Sequence, residues 1–173
     1  MLMKVLIIYA TKGGVSRRCC EILAQNLGRS MEISLFDIND APPAPDGYDV
    51  AVIGGSVRMS KINKKLKMYL KQHAKALNEI NTALFLCCGF SENFDDYVSL
   101  CLPKTVIPSL GIHMFGGELK PEKLSGLDKL VVKMARSSIK NEDFEHPDPT
   151  RSPLPEIIPE NIIRLSDRIR QLL

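Results

Sequence analysis

Two hydroxyls and two glycines within one short stretch, Thr11-x-Gly13-Gly14-x-Ser16, carry the clearest chemistry in this sequence. They stand between an apolar run containing Val5, Ile7 and Ile8 and a segment with helical periodicity. A loop of this composition between a strand and a helix is suited to hold a phosphate. Its glycines let backbone N–H groups turn inward, its hydroxyls donate, and the start of the helix carries partial positive charge. Thr11, Lys12, Gly13, Gly14, Val15 and Ser16 are therefore candidates for binding a phosphorylated small molecule. The alternative is an ordinary strand–helix turn with Ser16 as the N-cap.

Other chemistries find less support. The five cysteines are Cys19, Cys20, Cys87, Cys88 and Cys101. There is no C-x-x-C, and none is spaced from His73, His113 or His146 as a ligand set. This pattern points to reduced thiols in a cytoplasmic protein and to no metal site. The net charge of +3 is unevenly placed: Lys61, Lys64, Lys65, Lys67, Lys71 and Lys75 crowd one segment. No series of stacking aromatics interleaves these lysines, which argues against nucleic acid. A solvated face is one reading of the segment, and peripheral contact with an anionic membrane surface is another. No apolar run approaches the ~20 residues a membrane span requires.

The elements that would position the loop follow from hydrophobic periodicity. Strands are expected at residues 4–9, 33–36, 50–54, 82–88 and 112–115. Helices are expected at 15–27, closed by Gly28, at 63–77, in a weaker turn at 95–102, and at 158–173. A further helix is expected to open at Ser125 and Asp128, and residues 140–155 read as an acidic, proline-rich excursion. Residues 1–173 read as a single domain. Short apolar strands alternating with helices imply an α/β fold, a parallel sheet covered on both faces. Ligands of such sheets bind outside the carboxyl ends of the strands. Three glycine-containing loops leave those ends, at 10–16, 54–60 and 89–94.

The first loop contains neither GxGxxG nor GxxxxGK[ST]. It resembles instead the phosphate loop of flavodoxins, which wraps the single phosphate of FMN. The resemblance extends to Gly54-Gly55-Ser56 after the third strand and to residues 89–94 after the fourth. It implies a flavodoxin-like three-layer sandwich with a five-stranded parallel sheet in the order 2-1-3-4-5. It also implies FMN as cofactor, with its ring between two loops. Gly55, Ser56, Val57, Arg58 and Met59 would lie on one side, and Gly89, Phe90, Ser91, Asn93 and Phe94 on the other. Arg58 is a candidate cation for N1 of the reduced ring, the alternative being a solvated side chain.

Within that superfamily the chain is similar to the menaquinone-dependent protoporphyrinogen dehydrogenase family. Ile53-Gly54-Gly55-Ser56-Val57-Arg58, followed by the lysine-rich helix, resembles that family's Ile-Gly-Ala-Ser-Ile-Arg element and its basic helix. The resemblance implies an FMN-dependent oxidoreductase acting between a small redox substrate and a quinone or other acceptor. A non-catalytic electron carrier with a redox protein partner is the alternative. A receiver-type regulatory module would need paired acids after the first strand, where Tyr9-Ala10-Thr11 stands.

Overall fold

The computed structural model describes residues 2–89, 93–117 and 156–173. Five strands form one parallel sheet: β1 (Met3–Ala10), β2 (Met31–Asp37), β3 (Val50–Ser56), β4 (Asn81–Cys87) and β5 (Gly111–Met114). Their order is β2-β1-β3-β4-β5, as the resemblance implies. The helices are α1 (Val15–Leu27), α2 (Lys64–Gln72), α3 (Ala74–Glu79), α4 (Phe94–Cys101) and α5 (Pro159–Arg170). The helix expected to open at Ser125 and the excursion at 140–155 lie outside the described residues.

The continuous apolar run of β1 has a simple cause, since both of its faces are buried. Val5, Ile7 and Tyr9 join Cys19, Leu23 and Leu27 of α1 and Ile162, Leu165 and Ile169 of α5 in one core. Leu6, Ile8 and Ala10 face the other way, toward Leu66 and Leu70 of α2, Leu77 of α3 and Cys101 of α4. The sheet therefore lies between two helical layers and separates two cores.

α1 spans the residues expected from its periodicity because both ends are marked by glycine. Gly14 takes φ of 88° at the N-cap, and Gly28 takes φ of 72° after the last turn. The expected helix 63–77 is instead two helices that meet at His73. His73 N–H still donates to Tyr69 O and Leu77 N–H to His73 O, so the apolar stripe continues through the break. A deviation at one residue leaves the hydrophobic period intact, so periodicity alone cannot locate it.

A second correction bears on the site. Gly54, Gly55 and Ser56 do not form a loop; they are the last residues of β3. Gly54 pairs with Phe85 and Gly55 with Ala10. A Cβ on Gly54 would overlap the Phe85 carbonyl and ring, and one on Gly55 would stand 2.7 Å from Ala10 O. The absent side chains let the strands approach closely at the sheet's carboxyl edge.

Beyond β3 the ladder continues with Val57 N–H donating to Cys87 O at 2.9 Å. The chain then reverses in a two-residue turn. Arg58 N–H donates to Lys61 O at 2.8 Å, and Lys61 N–H donates to Arg58 O at 2.9 Å. Met59 and Ser60 take φ of 49° and 58°, as a type I′ turn requires. Asn-Gly is the pair suited to those positions, so Met-Ser stores strain there.

Two outcomes follow for stability. Gly54→Ala lowers it by about 2–3 kcal/mol, through forced displacement of β4. Urea denaturation reads this directly, and a change below about 1 kcal/mol contradicts the close approach. Replacing Met59-Ser60 by Asn-Gly raises stability by about 1 kcal/mol, seen as a higher denaturation midpoint at unchanged slope.

Candidate functional site

The carboxyl ends of β1, β3 and β4 lie side by side, and three chain segments leave the sheet there. The first runs from Thr11 into α1. Arg18 is the first residue to donate within the helix, its N–H reaching Gly14 O at 3.0 Å. The N–H groups of Gly14, Val15, Ser16 and Arg17 therefore have no intrahelical acceptor. Gly14 N–H donates to Thr11 Oγ1 at 2.8 Å, which leaves the Thr11 hydroxyl proton available. No side chain caps α1, and its first turn contains no acid. This end of the helix thus presents donors and partial positive charge without a competing anion of its own.

The left-handed N-cap requires glycine. A Cβ on Gly14 would meet nothing within 4 Å, so the constraint there is conformational and not steric. At Gly13 a Cβ would stand 3.7 Å from Nη2 of Arg58. The Arg58 guanidinium therefore lies against the first loop, although its backbone belongs to the second. Lys12 is exposed on the same loop.

Ser16 does not act as a side-chain N-cap; that position belongs to Gly14. Ser16 is wholly buried, and its hydroxyl meets that of Ser56 at 2.8 Å. Ser56, at the end of β3, is only partly exposed. Val57 packs against the core shared with α2. Met59 projects from the tip of the turn and is 73% exposed.

On the far side of the turn, a groove of about 350 Å³ is lined by Ser60, Asn93, Asp96, Tyr97, Ser99 and Leu100. Phe94, expected at the ring, packs against the α2-side core in the first turn of α4. Asn93 is exposed and Gly89 is partly exposed. Phe90 and Ser91 lie outside the described residues.

One flanking segment escapes the sequence reading. Phe115 N–H donates to Leu86 O at 3.0 Å, which carries the chain beyond β5 toward the third segment. A Cβ on Gly117 would stand 2.8 Å from the carbonyl carbon of Cys88 and 2.9 Å from Gly89 N. A Cβ on Gly116 would overlap Glu156 O. The Gly116-Gly117 pair after the last strand is the signal that marks this close packing of backbone on backbone.

The thiols near the site are chemically quiet. Cys87 Sγ donates to Cys19 Sγ at 3.9 Å. Hydrogen bonding to Cys19 and burial push the Cys87 thiol well above its usual range. Burial does the same for Cys20. Protonated thiols of this kind are poor nucleophiles. The helix start is equipped to bind an anion, and these cysteines offer no activated nucleophile.

Comparison with known proteins agrees with this geometry. Residues 6–145 match the flavodoxin domain. Over 85 residues the chain is 28% identical to the protoporphyrinogen IX dehydrogenase (quinone) of Escherichia coli K12. That match covers 48% of this chain and 47% of the enzyme, so the chain spans about half the length of the curated relatives it matches. A short-chain flavodoxin associated with a PDU bacterial microcompartment is 13% identical, with a TM-score of 0.50 over 79% of this chain and 99% of its own. The oxidised flavodoxin 1 of Bacillus cereus is 15% identical, with a TM-score of 0.47 over 81% of this chain and 99% of its own. With residues 6–145 matched and the sheet ordered β2-β1-β3-β4-β5, the chain belongs to the flavodoxin-domain family.

Proposed function

We propose that this protein binds FMN without a covalent bond and works as a flavin-dependent oxidoreductase. One observation carries the reading: the uncapped, acid-free start of α1 opens where β1, β3 and β4 end together. The donor set suits a phosphate monoester. N–H groups of Val15, Ser16 and Arg17 have no helical acceptor, the Thr11 hydroxyl has a proton to give, and Arg58 stands over Gly13. Arg58 is thereby assigned to the phosphate end of the ligand and not to N1 of the ring.

The flavin, when bound, supplies the transfer of hydride or single electrons. The chain's own part is to hold and orient it. Backbone at Ser56, Val57 and Arg58 and at Cys88 and Gly89 borders the space beside the phosphate loop. The mobile charge of Lys12 and the fixed charge of Arg58 favour an anion there. Asn93 and Phe94 lie farther along, at the groove and core of α4.

The donor and acceptor follow from resemblance to the quinone-dependent dehydrogenase, and a small organic donor with a quinone acceptor is the reading adopted. The lysines of residues 61–75 support contact with an anionic membrane surface. Lys61, Lys64, Lys71 and Lys75 are exposed, and Met68 between them is 58% exposed. No described helix is long and apolar enough to cross a membrane. Electron-carrier flavodoxins meet basic partners with acidic surfaces, so this basic helix favours the enzyme over the carrier.

Two experiments test these statements. The purified protein, or the protein titrated with FMN, should show bound-flavin absorbance. Arg58→Gln should weaken FMN binding by roughly ten- to a hundredfold while leaving riboflavin binding nearly unchanged. Absence of FMN uptake by the intact protein refutes the cofactor. Separately, anaerobic assays with a protoporphyrinogen-like donor and a quinone should show turnover. Sedimentation with anionic, but not neutral, vesicles should be lost as salt is raised. Reduction only through a partner reductase, with no small-molecule turnover, favours the carrier, and indifference to vesicles removes the membrane contact.

A further inference from the structure

The Ser16–Ser56 contact joins two segments that the ligand would touch separately. Ser16 lies in the first turn of α1, beneath the phosphate loop, and Ser56 ends the strand that leads to the ring-side turn. Their hydroxyls meet at 2.8 Å. Ser16 has no exposed surface. Cys87, opposite Ser56 in the sheet register, donates its own proton to Cys19.

A hydroxyl has one proton and two lone pairs. That of Ser16 meets Ser56 and is shut away from the loop surface. The contact fixes the start of α1 to the end of β3. Exchanging Ser56 for an apolar residue leaves the wholly buried Ser16 hydroxyl without this partner, whereas Ser56, partly exposed, can turn to water.

We propose that Ser16 is a positioning residue whose hydroxyl ties the phosphate loop to the ring-side segment through Ser56. Only the backbone N–H of Ser16 serves the phosphate. The bond holds Val57 and Arg58 in register with the helix start whether or not an anion is present, so it supports the phosphate side and the ring side of the site alike. This inference rests on the FMN reading for its ligand, but the tie itself is a property of the unliganded chain.

The test compares FMN with riboflavin, which lacks the phosphate. Ser16→Ala and Ser56→Ala should each weaken both ligands by the same factor, roughly two- to tenfold. The double variant should lose no more than the more affected single variant. Arg58→Gln supplies the contrasting pattern, a loss for FMN alone. In the flavin-free protein, Ser16→Ala should speed hydrogen exchange at Val57 N–H, and Ser56→Ala should speed it at Arg18 N–H. Loss of FMN affinity with riboflavin affinity retained in Ser16→Ala makes the hydroxyl a phosphate ligand and overturns the tie. Additive losses in the double variant, or exchange unaltered on the opposite segment, overturn it too. If Ser16→Ala does not fold, Ser56→Ala alone carries the comparison, because it leaves the core intact. If the intact protein binds neither flavin, the cofactor reading fails while hydrogen exchange still decides the tie.

Discussion

The organisation of this molecule depends on how closely β3 can lie between β1 and β4 at their carboxyl ends. Gly54 and Gly55 make that approach possible. Each occupies a position where even a methyl group would overlap a neighbouring strand's backbone. Because the strands converge there, their exits are crowded into one small area. The first turn of α1, the Arg58–Lys61 turn and the backbone at Cys88–Gly89 become neighbours although they are far apart in sequence. Were β3 held even slightly away, Ser16 would not reach Ser56, and Arg58 would not lie over Gly13.

Much of the fold was legible because its causes are local or periodic. The apolar runs gave each strand, since strands buried on both faces leave little room for polar residues. α1 was legible to its ends because glycine marks both of them. The glycine- and hydroxyl-rich strand–helix junction was legible as the place where the helix start presents N–H groups without helical acceptors. What sequence did not disclose depends on direction and register. Gly54-Gly55-Ser56 has the composition of a turn, and only the register with Phe85 and Ala10 shows it to be strand. Ser16 has the right type and spacing for a phosphate ligand, yet its position in the helix points the hydroxyl inward. Arg58 belongs to the second segment in sequence and lies against the first in space. Phe94 suits either ring stacking or core packing, and in the structure it packs against the α2-side core.

The charge distribution gives the site its character. The first turn of α1 has arginines in place of acids, and Lys12 and Arg58 add positive charge beside it. α2 continues the same sign along the neighbouring surface. A ligand with an anionic tail is therefore drawn to the end of the sheet where the backbone donors lie.

None of the five cysteines is in a disulfide, and all are buried. Their concealment has a practical consequence for anyone counting electrons in this protein. A reductant added in measured amounts meets no sulfur couple at the surface, so its stoichiometry reports the prosthetic group alone. For the same reason, peroxide formed by a reduced centre in air finds no ready sulfenic-acid target on the chain.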